Sequence, residues 1–203
     1  MTMIVVKMRT LIKEAYWNIL QEFYTNNNTP QHLREISRNI KLDQSALTRH
    51  LNNLTKDKIL TYRIEGNLKK FYINKNYVKN IFPIYDEERL EALPILRRNA
   101  IKFYIQELEE KPVFAIIFGS TAKNTYKEDS DIDIITVFNK KTDTKKAKDY
   151  AQAQTGITIS EFQLTYKDFI KETKLKEDQV IQSGIESGFP IYNNKAYYEV
   201  FNE

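Results

Sequence analysis

The chain has 203 residues, a formal net charge of +4, 31 Lys and Arg against 27 Asp and Glu, and no cysteine. Without cysteine there can be no disulfide, zinc–thiolate site or thiol catalysis, which suits a reducing, cytoplasmic setting. No run of about 18 apolar residues exists to cross a bilayer, and Met1 to Arg9 is too short and too mixed for a secretory signal, so no membrane partner is expected.

The length allows one large core or two modest ones, and two is the expectation. Residues 1–80 hold 14 Lys and Arg against 6 Asp and Glu, whereas 81–203 hold 17 against 21, so a basic front half meets an acidic back half. Separate partners for the two halves follow. Of the two histidines, His32 and His50, neither is placed to build a metal site or a Ser-His-Asp triad. Carboxylates must carry any chemistry.

From Arg9 to Phe23, Leu11, Ala15, Ile19 and Phe23 recur at helical spacing, with Tyr16 and Leu20 alongside. Thr29 then reads as an N-cap with Pro30 opening a second, short helix on Leu33, Ile36 and Ile40. Asp43 caps a third helix with Leu47, Leu51 and Leu54 inward, and Ser45, Thr48, Arg49, Asn52 and Lys56 outward. Two β-prone runs around Gly66-Asn67 make a hairpin over Thr61–Ile73. Tyr77 to Asp86, with Pro83 inside, reads as a linker.

A helical pattern from Glu87 to Lys111 follows, interrupted at Pro94. Val113–Phe118 is an apolar run of strand length, Asp131–Phe138 a second strand, Lys140–Gln154 a basic helix with a solvated face, and Ile157–Thr165 a third strand. The fold class is α+β: an all-α amino-terminal domain with a hairpin over 1–80, then a mixed sheet flanked by helices over 81–203.

Helix, helix, helix, hairpin over residues 9–75, with Ser45-Ala-Leu-Thr-Arg-His-Leu-Asn-Asn-Leu as third helix, resembles the winged helix-turn-helix domains of prokaryotic regulators. The residues support the same partner. Ser45, Thr48, Arg49 and Asn52 are hydrogen-bonding groups short enough to read base edges of double-stranded DNA, and Arg63, Lys69 and Lys70 on the hairpin suit phosphates. Tyr16, Trp17 and Tyr24 on the first helix offer a seam for a homodimer.

Phe118-Gly119-Ser120-Thr121-Ala122-Lys123, ten residues between Ser120 and Asp131, and then Asp131-Ile132-Asp133-Ile134 resemble the signature of the DNA polymerase beta-like nucleotidyltransferases, over about residues 87–192. Ile181–Tyr192 resembles the closing helix and short strand of that family. Each part has a physical reason. Gly119 permits a sharp turn and close approach of a phosphate, Ser120 and Lys123 can bind its oxygens, and Asp131 and Asp133 alternate onto one face of a strand, where together they can grip magnesium, or manganese in its place.

The resemblance implies transfer of a nucleoside monophosphate from an NTP to an acceptor hydroxyl, and a third carboxylate on a neighbouring strand. Glu161, the only acid of the third strand, is the candidate metal ligand or general base. Asn124 stands where these proteins often have glycine. The acceptor stays open among a protein side chain, such as that of a HEPN-type toxin partner, a small molecule and a nucleic-acid end. The alternative is a DNA-bound regulator whose second domain senses a nucleotide without turning it over.

Overall fold

The computed structural model describes residues 10–201, and the chain divides into two compact units, one up to Tyr85 and one from Asp86 to Phe201. Helix α1 (Glu14–Thr25) buries Trp17, Ile19, Leu20 and Phe23. Arg9 lies outside the described residues, and Leu11 is 79% exposed, outside the apolar stripe. The second helix does not start at Thr29-Pro30. Gln31–His32 instead forms a short strand β1 antiparallel to β3 (Leu68–Ile73), which keeps the backbone extended. Helix α2 (Leu33–Ile40) therefore starts three residues later, and His32 caps it by accepting the Glu35 N–H on Nδ1 at 3.2 Å.

Helix α3 (Gln44–Lys56) is capped by Asp43, whose Oδ1 accepts the N–H groups of Ser45 at 2.8 Å and Ala46 at 3.2 Å. The two bonds satisfy N–H groups that the first turn of a helix leaves without an intrahelical partner. Leu47, Leu51 and Leu54 are buried beneath it. Strand β2 (Leu60–Glu65) pairs with β3 so that Glu65 faces Leu68, leaving Gly66 and Asn67 as a two-residue loop. Gly66 takes φ +58°, a conformation glycine adopts without steric cost. The sheet order is β1-β3-β2.

Of the aromatic residues expected at a dimer seam, Trp17 is buried in this unit, and Tyr16 and Tyr24 are half-buried. Trp17 is 1% exposed and meets Tyr85 edge-on at 4.8 Å, Tyr24 meets Phe82 at 5.1 Å, and Tyr16 meets His50 at 5.2 Å. The segment 77–86 is not a linker but the middle of helix α4 (Lys75–Ala92), with Pro83 inside it. Val78, Phe82 and Tyr85 are buried at i, i+4 and i+7. Burying three such side chains outweighs the roughly 3 kcal/mol that proline costs a helix interior.

The second unit is built on a four-stranded sheet of order β6-β5-β4-β7, with β4 (Phe114–Ile117), β5 (Ile132–Phe138), β6 (Ile159–Thr165) and β7 (Phe189–Tyr192). Strands β5 and β6 run parallel, while β4 is antiparallel to β5 and β7. Helices α5 (Ile95–Glu107), α6 (Gly119–Lys123), α7 (Lys145–Thr155), α8 (Tyr166–Leu175), α9 (Gln179–Ser187) and α10 (Asn194–Val200) complete it. Ala100, Ile101 and Tyr104 of α5 and Ala147 and Ala151 of α7 pack against Ala115, Ile117, Ile132 and Ile134 on one face. On the other face Phe114 meets Phe169 at 5.0 Å and Tyr197 at 5.6 Å, and Gly184 leaves room for Ile135. Both faces are covered, so β4 and β5 are apolar nearly throughout.

Candidate active site

Strand β4 ends at Ile117, Phe118 stays extended, and Gly119 turns the chain at φ +66° into the short helix α6. The Phe118 N–H donates to the Asp133 carbonyl at 3.1 Å, pinning the corner to β5. A Cβ on Gly119 would run into Asp133 Oδ2. The missing side chain is thus what lets the Asp133 carboxyl lie against the turn. Asn124 closes α6 in the left-handed region at φ +55°, which asparagine tolerates better than most residues. Ser120 is half-buried and Lys123 exposed at the far end of the same helix.

Asp131 is exposed just before β5 and Asp133 is half-buried within it. Two residues apart, they share the face that Ile135 and Val137 continue, opposite Ile132, Ile134 and Thr136. Burial, and then the charge of Asp131, raise the Asp133 carboxyl above the ordinary aspartate range. Each effect penalises a second negative charge at this spot.

Glu161 does not join the aspartates. The register sets Asp133 beside Ser160 and Ile134 beside Glu161, so Glu161 emerges on the opposite face, under α5 and α7. There its side chain is 4% exposed and accepts from Tyr104 Oη at 2.7 Å, Thr136 Oγ1 at 2.5 Å and Thr144 Oγ1, with Lys148 Nζ at 3.5 Å. Burial pushes this carboxyl up, but the three hydroxyl donors and Lys148 outweigh it and hold it below the ordinary glutamate value. Its acceptor capacity is committed to neighbouring side chains. Among the described residues no group of three His, Asp or Glu could hold a metal.

One residue of this region was missed in the sequence. Arg97 of α5 is 3% exposed and donates to Thr121 Oγ1 at 3.1 Å and to the carbonyls of Lys127 at 3.0 Å and Ser130 at 2.8 Å, with its guanidinium 3.9 Å from the Tyr126 ring centre. The signal was available: Leu93, Arg97, Ile101 and Tyr104 form one apolar helical stripe interrupted by a charge.

In the first unit Ser45, Thr48, Arg49 and Asn52 are all exposed along α3. The Ser45 hydroxyl donates to Asp43 at 2.5 Å and that of Thr48 to the Gln44 carbonyl at 2.7 Å. Thr48, Asn52 and Lys69 line one groove of about 560 Å³ with His32, Arg34 and Phe71. Arg63 and Lys70 are paired across the hairpin by Glu65, at 2.5 and 2.6 Å, while Lys69 lies 3.7 Å from the Tyr62 ring centre. Glu65 thus offsets part of the positive charge expected to meet phosphates.

No curated protein and no solved structure matches the chain. The family described as nucleotidyltransferase domain matches residues 98–199, which run from α5 through the Gly-Ser corner and the aspartate strand into α10. The match thus covers half of the chain and every element of this corner, and the protein belongs to the nucleotidyltransferase domain family.

Proposed function

We propose that the protein is a magnesium-dependent nucleotidyltransferase that moves a nucleoside monophosphate from an NTP to an acceptor hydroxyl, releasing pyrophosphate, and that its first unit is a winged-helix DNA-binding domain. The observation that carries the reading is Asp133 on β5 seated against the Gly119 turn, with Asp131 two residues before it and close enough for its charge to raise the Asp133 carboxyl. Two carboxylates fit a magnesium ion, because this cation is commonly held by one or two carboxylates and completed by substrate phosphates and water. The raised Asp133 carboxyl marks a crowding of negative charge that a cation would relieve. When bound, the ion supplies charge neutralisation on the phosphoryl group being transferred.

The chain's own residues do the rest. Gly119 leaves space for a phosphate to approach the backbone, the Ser120 hydroxyl can donate to its oxygens, and Lys123 adds a positive charge at the end of α6. Asp131 and Asp133 would hold the ion, while the Gly119-Ser120 corner orients the triphosphate so that the acceptor oxygen and the leaving pyrophosphate can be aligned about the same phosphorus. Glu161 faces away from this corner and is assigned no general-base role.

Incubating the protein with Mg²⁺ and each α-labelled NTP, with and without cell extract, tests this. Label should move to an acceptor, and Asp131→Ala and Asp133→Ala should each reduce transfer roughly a hundredfold or more. Undiminished transfer by both variants would place the chemistry elsewhere.

Ser160, without a carboxylate beside Asp133, favours a second reading: a DNA-bound regulator that senses a nucleotide without transferring it. NTP binding with no label movement under any condition would select it.

For the first unit, the order of helices and hairpin and the exposed polar face of α3 support docking of α3 in a major groove. DNA affinity should fall steeply with salt, and Arg49→Ala should lower the log–log slope by about one. Salt-independent binding, or an unchanged slope, would remove Arg49 from the contact.

A further inference from the structure

Arg97 is a buried cation with no carboxylate paired to it among the described residues. Taking a guanidinium out of water is costly by several kcal/mol unless its donors are satisfied, and here three hydrogen bonds satisfy them. Its bonds are not spread at random. One goes to Thr121, the buried residue of α6 directly after the Gly119-Ser120 corner, and two go to the carbonyls of Lys127 and Ser130.

Those two carbonyls belong to one closed turn. The Ser130 N–H donates to the Lys127 carbonyl at 3.1 Å, and the Lys127 N–H donates to Ser130 Oγ at 2.9 Å. Ser130 is the residue before Asp131, and Tyr126, whose ring lies against the guanidinium, is the residue before Lys127. A single side chain therefore grips the segment that carries the phosphate corner and the segment that delivers the first aspartate. No residue of the loop 124–130 is itself buried, Tyr126 and Ser130 being half-buried and the others exposed.

We propose that Arg97 is the positioning residue of the nucleotide site: its planar, multidentate guanidinium sets the Gly119-Ser120 corner and Asp131 at a fixed separation, so that one triphosphate–metal unit can be held by both. The inference rests on the transferase reading of this corner. Lysine cannot replace it, because an ammonium donates from one nitrogen, whereas Arg97 bonds Thr121 from Nη1 and the two carbonyls from Nη2.

The test uses the full chain as wild type, Arg97→Gln, Arg97→Lys and Thr121→Val, at a temperature where circular dichroism shows each folded. The first arm is amide hydrogen exchange without ligand. Residues 124–131 should exchange about tenfold faster in both Arg97 variants and measurably faster in Thr121→Val, which removes one bond and keeps the fold even if the Arg97 variants do not. The second arm is calorimetric titration with Mg²⁺ and each of ATP, GTP, CTP and UTP. Affinity should fall about tenfold or more in both Arg97 variants.

Unchanged exchange over 124–131 overturns the proposal, and so does Arg97→Lys binding nucleotide like wild type while Arg97→Gln does not, since charge alone would then suffice. If the wild type binds none of the four nucleotides, the transferase reading fails, and the exchange arm still decides whether Arg97 holds the two segments together.

Discussion

Gly119→Ala should reduce nucleotidyl transfer roughly a hundredfold while leaving the second unit folded. Alanine at φ +66° costs about 1 kcal/mol in backbone strain, which a domain of this size survives. The larger consequence is local. The new methyl group would collide with Asp133 Oδ2, with Asp133 Cγ and Cβ close behind. Either the carboxylate rotates off the turn or the turn opens and strains the Phe118 N–H bond to the Asp133 carbonyl. Both displace a carboxylate relative to the corner, and a misplacement of about 1 Å can cost a hundredfold in rate.

Gly66→Ala is the matched control. That glycine also has positive φ, at +58°, but a Cβ there meets nothing within 4 Å, so the substitution carries the strain without the collision. Transfer assays on both variants, with melting temperatures beside them, separate the two effects. A Gly119→Ala protein that transfers label at the wild-type rate would show that the close seating of Asp133 on the turn is not needed.

The geometry of the Gly119 corner and of the strand after it was legible because its parts are local in sequence. A glycine and serine after an apolar strand, and two acids at a spacing of two around the start of another, are read from backbone geometry alone: the turn needs positive φ, and alternation assigns Asp131 and Asp133 to one face. Asp43 as a cap and Gly66 in the hairpin were readable for the same reason. What failed was whatever depended on partners distant in sequence. The face that Glu161 takes is set by the register of β6 against β5, and a shift of one residue exchanges Ser160 for Glu161 beside Asp133. The start of α2 was misplaced because β1 pairs with a strand some forty residues on. Pro83 suggested a linker because its local cost is plain in sequence, whereas the buried positions Val78, Phe82 and Tyr85 that outweigh it required knowing what they pack against.

Glu161→Gln should leave nucleotide affinity within about twofold of wild type and destabilise the second unit by about 2 kcal/mol, the opposite pattern to the corner variants. The carboxylate accepts from Tyr104 on α5, Thr136 on β5 and Thr144 before α7, and lies near Lys148 on α7, so it ties two helices to the middle of the sheet. An amide keeps the shape, loses the charge that makes these bonds strong, and presents an N–H₂ group to hydroxyls oriented as donors. The pH dependence follows from the direction of the shift. The folded carboxyl sits below the ordinary glutamate value of 4.5, so its contribution is fully present above that value and is lost as pH falls through the lower folded value. The stability gap between wild type and Glu161→Gln should therefore be flat around neutrality and close under acid conditions below 4.5. Were Glu161 a metal ligand instead, the variant would lose nucleotide and metal affinity at neutral pH with little change in melting temperature. Chemical denaturation across pH, run beside a Mg·NTP titration, distinguishes a strut from a ligand in one set of proteins.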